Sequence, residues 1–240
     1  AMGIPMKEVK FEAFVSEFIG TFFLVLTVGL NAIQGTPLAA VSFGAILMAM
    51  IFSTGAVSGG HFNPAVTIGV FLSGFGRQEL RKVDVCGYIL TQCCAGILGG
   101  ITSASIAAGT FALRPAVGYG YLDALVVEVF FTAALVFVML SVQTTRMESG
   151  NEFFGLAVGF TVMASSFAVG GVSGCSLNPA LAIGVSASNW LHAGGGYPLF
   201  SIYFCGPVLG ACIAAGLFRI VRRLEFQLPP HMATVPDVQA

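Results

Sequence analysis

Residues 18–30 carry no charged side chain, and residues 125–142 carry only Glu128. A stretch of that kind reads as part of a membrane span, which needs about 20 predominantly apolar residues. The rest of the chain is equally sparing. Of 240 residues, 10 are Lys or Arg and 11 are Asp or Glu; that share of 9% compares with roughly 25% in soluble domains. A soluble domain of this length needs a polar shell, and the charges to build one are missing. A net charge of −1 without a basic stripe also argues against a nucleic-acid partner. A transmembrane barrel would read as alternating segments of about ten residues, whereas these runs are continuous. The chain is therefore expected to be an all-α, multi-pass integral membrane protein. Its 31 glycines fit that class, because small residues such as those in 96–100 and 206–210 let helix backbones approach closely in lipid.

Setting apolar runs against breakers gives six candidate spans, at about 11–32, 37–58, 83–107, 121–144, 153–172 and 197–222. The uncharged run of the first begins after Lys7, Glu8, Lys10 and Glu12 with no small-residue cleavage pattern after it, and reads as a retained span. Two shorter stretches remain, 64–73 and 179–189, each opened by Asn-Pro. About 11 residues of helix reach roughly 16 Å, half a bilayer. These segments cannot cross.

The chain repeats itself. Val-Ser-Gly-Gly-His-Phe-Asn-Pro-Ala-Val at 57–66 lies beside Val-Ser-Gly-Cys-Ser-Leu-Asn-Pro-Ala-Leu at 172–181, at an offset of 115. The same offset pairs Gly44 with Gly159, Phe52 with Phe167, Gly55 with Gly170 and Gln92 with Pro207. Glu17 pairs with Glu128 and Thr21 with Thr132 at an offset of 111. The expected organisation is an N-terminal segment 1–10, a first repeat 11–110, a second repeat 121–223 and a tail 224–240. Each repeat holds three spans and one half-helix. Three is odd, so the second copy enters the bilayer inverted, and inverted repeats with interrupted helices point to a shared site near the midplane. Orientation follows from the cations. With both termini cytoplasmic, Lys7, Lys10, Arg77, Arg81, Lys82, Arg146, Arg219, Arg222 and Arg223 lie inside and only Arg114 outside.

Asn-Pro at the head of each half-helix has a physical reading. Proline suits the first helical position, and asparagine before it is a strong cap. The lead-ins 58–62 and 173–177 can exist in lipid only if buried or lining a wet cavity, where their carbonyls are expected to be free acceptors. Two half-helices meeting N-terminus to N-terminus bring roughly half a positive charge each. That arrangement admits a neutral molecule with lone pairs and repels a cation or proton. The six cysteines show no zinc spacing and no disulfide framework. Five read as small packing residues, and Cys175 stands apart beside the second motif.

The two motif loops, together with Glu17-Phe-Ile-Gly-Thr-Phe-Phe-Leu-Val, resemble the signatures of the aquaporin (major intrinsic protein) family, with the likeness running from about residue 12 to 223. The resemblance implies six transmembrane helices plus two re-entrant half-helices, one pore per chain, and a homotetramer. It makes Asn63 and Asn178 the midplane donors, with Pro64, Ala65, Pro179 and Ala180 packing the half-helix ends together. His61 and Ser176 fall where the family lines its pore, and Glu17 and Glu128 where it braces the loops. By motif spacing the selectivity filter falls on Phe43, Ser166, Cys175 and Leu181.

That filter departs from the family pattern, in which an arginine normally follows the second Asn-Pro-Ala. Leu181 removes a fixed charge and its donors, and Ser166 stands where many water-selective members place histidine. The expected function is passive water permeation, with facilitation of glycerol, urea, ammonia or hydrogen peroxide as the alternative. Ala182 and Ile183, where glycerol-conducting relatives usually carry Asp, and the pair Tyr203-Phe204 before Gly206-Pro207 favour water. A coupled transporter would need further intramembrane carboxylates. No nucleophile–base pair, metal cluster or cofactor motif stands out, so neither catalysis nor a cofactor is expected.

Overall fold

The computed structural model describes residues 10–74, 80–144, 153–195 and 201–226. The expectations for residues 1–9, for Arg77 and Arg146, and for the tail beyond 226 lie outside them. The order is α1 (Phe11–Gln34), α2 (Ala39–Ser58), α3 (Pro64–Ser73), α4 (Lys82–Ala107), α5 (Tyr121–Met139), α6 (Phe154–Ser173), α7 (Pro179–Ala193) and α8 (Gly206–Val221). Five-residue π turns extend α5 through Leu140–Thr144 and lead into α8 through Ser201–Cys205. Pro207, in the first turn of α8, has no N–H to give the helical ladder. Among the described residues there is no strand, and six helices are long and apolar enough to cross a membrane.

Both half-helices begin for the same local reason. Asn63 Oδ1 accepts from Ala65 N at 2.9 Å, and Asn178 Oδ1 accepts from Ala180 N at 2.9 Å, each with proline next in the chain. The first ends at Ser73, on the expected residue. The second runs to Ala193, four residues beyond the expected 189. His192 lies past the expected end and reads as loop, but its Nδ1 bonds Ser188 O at 3.0 Å. That polar side chain is satisfied on its own helix, which continues past it.

The repeats interleave. Within each, the first span packs on the last, α1 on α4 and α5 on α8. Each half-helix also packs against the last span of the other repeat, α7 on α4 and α3 on α8. The halves also meet between α2 and α6, where a Cβ on Gly44 would strike Gly159 O and one on Gly159 would strike Gly44 O. A second close approach joins α4 and α7, where a Cβ on Gly184 would strike Gly96 O and one on Gly100 would strike Gly184 O. Arg219 on α8 donates through Nε to Ser73 O at 3.0 Å and through Nη2 to Leu72 O at 2.9 Å, capping the C-terminal end of α3. Large apolar side chains such as Leu90, Phe130, Phe160 and Ile220 face outward, as lipid contact requires.

The α4–α7 approach generates a test. Gly184→Ala puts a Cβ into the Gly96 carbonyl, and backbone cannot rotate away. We expect a loss of about 1–3 kcal/mol from overpacking, read as a lower midpoint of thermal unfolding in detergent. Gly170→Ala, where a Cβ meets nothing within 4 Å, should raise the midpoint or leave it unchanged.

Candidate functional site

The two lead-in loops take up one unusual backbone trace twice. Gly59 and Gly174 have φ of 93° and 88°, Gly60 and Cys175 of 62° and 51°, and Phe62 and Leu177 both of 49°. Left-handed backbone costs roughly 1–2 kcal/mol at each residue with a Cβ, so something must hold Phe62, Cys175 and Leu177 there. Glu17 holds the first loop. Its carboxylate accepts from Ser58 Oγ (2.7 Å), His61 N (2.9 Å), Phe62 N (2.6 Å) and Gln92 Nε2 (2.8 Å). Glu128 holds the second, accepting from Ser173 Oγ (2.7 Å), Ser176 N (2.9 Å) and Leu177 N (2.7 Å). Tyr88 and Tyr203 complete the braces by donating to Ser58 O at 2.8 Å and Ser173 O at 2.6 Å. Both glutamates are fully buried behind the loops.

The loop tips are tied to each other. Asn63 Nδ2 donates to Leu177 O at 2.8 Å, and Asn178 Nδ2 donates to Phe62 O at 2.9 Å. The expectation that all lead-in carbonyls stand free is therefore corrected. Those of Ser58, Phe62, Ser173 and Leu177 are taken by tyrosine hydroxyls and asparagine amides. Among the described residues the carbonyls of Gly60, His61, Cys175 and Ser176 receive no donor, and these four residues line a cavity. An amide nitrogen has two hydrogens, so each Asn keeps a second N–H beside that cavity.

The cavity brings together Phe43, His61, Asn63, Ser166, Cys175, Ser176, Asn178 and Leu181. It leaves about 40 Å³ for the centres of water-sized molecules, room for a file of roughly three waters at ~10–15 Å³ each. Pro64, Ala65, Pro179 and Ala180 are buried outside its lining, and the Ala180 carbonyl lies against Gly96 of α4. Ser166 Oγ reaches Cys175 Sγ at 3.9 Å, a weak contact from a hydroxyl to a thiol. The remaining wall includes Leu24, Val28, Leu47, Val66, Leu135, Met139, Val158 and Val162. No Asp, Glu, Lys or Arg lines it. Where α3 and α7 converge, their N-termini supply the positive potential of about half a charge each. Among the described residues no three His, Cys, Asp or Glu side chains converge on a metal position.

Cys175 is the buried cysteine and the one that lines the cavity; Cys86, Cys94, Cys205 and Cys212 are exposed on outer helix faces and Cys93 is half-buried. Of the five thiols expected to be small packing residues, four thus lie on the surface of the chain. Small size in an apolar run does not distinguish a helix's inner face from its outer one.

The family model for the major intrinsic protein matches residues 5–218. The chain belongs to that family. It is 35% identical over 230 residues to aquaporin NIP1-4 of Oryza sativa subsp. japonica, with 92% of this chain and 80% of that protein covered. It is 34% identical over 221 residues to nodulin-26 of Glycine max, covering 88% and 78%. The X-ray structure of the aquaglyceroporin from Plasmodium falciparum superposes with a TM-score of 0.77 at 19% identity, covering 90% of this chain and 99% of that one. The last comparison establishes the shared fold.

Sequence reasoning missed Thr67 and Tyr88, took Tyr203 as a cue to the permeant and not as a brace, and used Gln92 only as an alignment mark. The tyrosines were findable, since Tyr88 and Tyr203 sit at the same offset of 115 as Ser58 and Ser173.

The braces differ by one donor, and that difference is measurable. Glu17→Gln turns an amide N–H₂ toward groups that are themselves donors, and we expect a stability loss of about 2–3 kcal/mol. Glu128→Gln, with three donors to lose instead of four, should cost less. Thermal unfolding of both variants in detergent provides the comparison; an equal or larger loss at Glu128 contradicts ranking by donor count.

Proposed function

We propose that the protein is a passive channel for water and small neutral solutes, with water the main permeant. The observation that carries this reading is the uncharged cavity, with two asparagine amides held where two half-helix N-termini converge. A neutral molecule finds donors in the Asn amides and acceptors in the open carbonyls, while a cation meets the combined dipoles. Binding is shallow and spread along the cavity, as conduction needs. The names of the relatives as aquaporins support the same class.

The outer constriction tunes selectivity in this proposal. Phe43, Ser166, Cys175 and Leu181 form a filter with one hydroxyl, one thiol and no arginine, so it is less polar than a filter built around a guanidinium fork. Leu181 and Ser166 favour a secondary permeability to glycerol, urea, ammonia or hydrogen peroxide. Both termini face the cytoplasm, a side assigned by the excess of Lys and Arg there. Each chain has its own pore within a homotetramer, and the first and second repeats contribute one half-helix each to that pore.

Stopped-flow light scattering on proteoliposomes tests the main claim. A sucrose step should shrink the vesicles several-fold faster than protein-free controls, and an equal rate rejects a water channel. Leu181→Arg should lower the ratio of glycerol to water permeability by roughly tenfold, the effect of about 1.4 kcal/mol of added barrier for the larger solute. An unchanged ratio removes Leu181 from the filter. Mercurials should block wild-type flux and spare Cys175→Ser, because Cys175 is the cavity thiol; block that persists in the variant moves the sensitive site elsewhere.

A further inference from the structure

His61 lines the cavity yet is only 6% exposed, and its ring is held from several sides. Its backbone N–H donates to Glu17 Oε1 at 2.9 Å. Its ring meets Tyr88 edge to face, centroids 5.4 Å apart at 67°. Its Nδ1 lies 3.1 Å from Thr67 Oγ1. Nε2 has no partner among the described residues, and unlike Thr21 Oγ1 and Thr132 Oγ1 it is not sealed from open space. The ring therefore offers one nitrogen to the protein and one to the cavity.

Which nitrogen carries the hydrogen is decided by the groups behind Thr67. Four donors meet the Glu17 carboxylate, so Gln92 turns its amide nitrogen toward it, at 2.8 Å. The other hydrogen of that amide goes to Thr67 Oγ1 at 2.9 Å. Thr67 has one hydroxyl hydrogen, and Asn63 O accepts it at 3.1 Å, closer than the other acceptor in reach, Gln92 Oε1 at 3.4 Å; either one uses the hydrogen up. Thr67 is then left with a lone pair, and the group placed to fill it is an N–H at His61 Nδ1. This arrangement completes three hydrogen bonds at the hydroxyl, whereas the other tautomer completes two. In neutral imidazole one nitrogen donates and the other accepts, and the bond made by one sets the state of the other.

We propose that Thr67 and Gln92 are positioning residues that hold the His61 proton on Nδ1, so that Nε2 faces the cavity as a hydrogen-bond acceptor. The second repeat reaches the same polarity differently. At the offset of 115, Ser176, Ala182 and Pro207 replace His61, Thr67 and Gln92. Ser176 Oγ donates its hydrogen to Asn178 O at 3.1 Å, leaving its lone pairs for the cavity. Acceptors thus flank the paired Asn donors on both sides. A permeant must bring hydrogens of its own to each flank, which favours water and other small neutral donors over molecules that only accept. This consequence for permeation rests on the channel reading; the tautomer does not.

The test is ¹⁵N solid-state NMR of the full chain, histidine-labelled and reconstituted in lipid bilayers at neutral pH. The chain has 3 histidines, and His61 is assigned by the signals lost in His61→Gln. We expect a protonated Nδ1 and an unprotonated Nε2 in the wild type. Thr67→Val and Gln92→Leu should move the proton wholly or partly to Nε2, while Thr67→Ser keeps it in place. In proteoliposomes Thr67→Val should lower water permeability on the order of fivefold, the scale of one hydrogen bond, with recovery in Thr67→Ser. A wild-type spectrum with the proton on Nε2 overturns the proposal, whether or not the variants fold. So does a tautomer that neither Thr67→Val nor Gln92→Leu alters. A wild type with the Nδ1 proton but no water flux would instead reject the channel reading and leave the tautomer assignment standing.

Discussion

Two carboxylates buried in an apolar bundle hold the rest of the structure in place. An ionisable group at membrane depth is expensive and persists only with partners, and Glu17 and Glu128 find theirs in the N–H groups of the lead-in loops. Those loops contain left-handed residues with side chains, Phe62, Cys175 and Leu177, that would relax if nothing fixed them. Each instability cancels the other. The carboxylate needs several donors within a small volume, and only a backbone folded back on itself presents successive N–H groups so closely. Remove the carboxylate and the loop has no reason to keep its shape. Lose the loop shape, and Asn63 and Asn178 no longer reach across to Leu177 and Phe62.

Twofold pseudo-symmetry supplies the scaffold, and departures from it supply the chemistry. The serine–tyrosine–glutamate brace is the same in both halves, atom for atom. What changes is the residue set between brace and cavity. In the first half a polar chain runs from Glu17 through Gln92 and Thr67 to His61. In the second, Pro207 and Ala182 stand in the matching positions, and Ser176 turns its hydrogen onto the neighbouring Asn178 carbonyl. The first half can therefore place a rigid imidazole against the cavity, while the second places a small hydroxyl. Cys175 carries the same contrast on the backbone, taking the left-handed conformation that a glycine, Gly60, adopts in the other loop. A side chain at that strained position is justified by what it does to the cavity wall, where Cys175 meets Ser166.

Much of this was legible in the sequence because membrane helices announce themselves by composition and the duplication announces itself by offset. All six spans appear, and the start of each half-helix is marked by Asn and Pro, whose geometry is local. The end of α7 was misplaced because His192 is polar, and a polar residue satisfied by its own helix looks the same in sequence as one in a loop. The cavity lining was legible only near the motifs. Leu24, Leu135 and Val158 come from three different spans, and each sits in an apolar run where all neighbours look alike. Their inward orientation depends on helix rotation, which is set by glycine contacts such as Gly44 against Gly159. Thr67 was invisible for another reason: a threonine in a helix usually bonds its own backbone, and only the arrival of Gln92 from α4 gives its hydroxyl a second task.

The two half-helices also show how length decides what a terminus needs. An isolated helix shorter than about 12–15 residues is marginal even with favourable propensities, and α3 has 10 while α7 has 15. The longer one closes its own C-terminus, where the Gly194 and Gly195 N–H groups return to the Trp190 and Asn189 carbonyls. The shorter one closes with Gly74 N bonding Phe71 O and needs more, because the last carbonyls of a helix have no N–H ahead of them in the ladder. Arg219 meets that need from α8, a span of the other repeat, covering both Leu72 O and Ser73 O. A cation at a helix C-terminus also complements the dipole there, so the charge that counts toward the excess on one face serves α3 as well. With Glu17 gripping the loop before α3 and Arg219 the carbonyls after it, a helix too short to stand alone is fixed at both ends by opposite charges. Its axis, and so the direction in which Asn63 presents its amide, is set by groups that never touch the cavity.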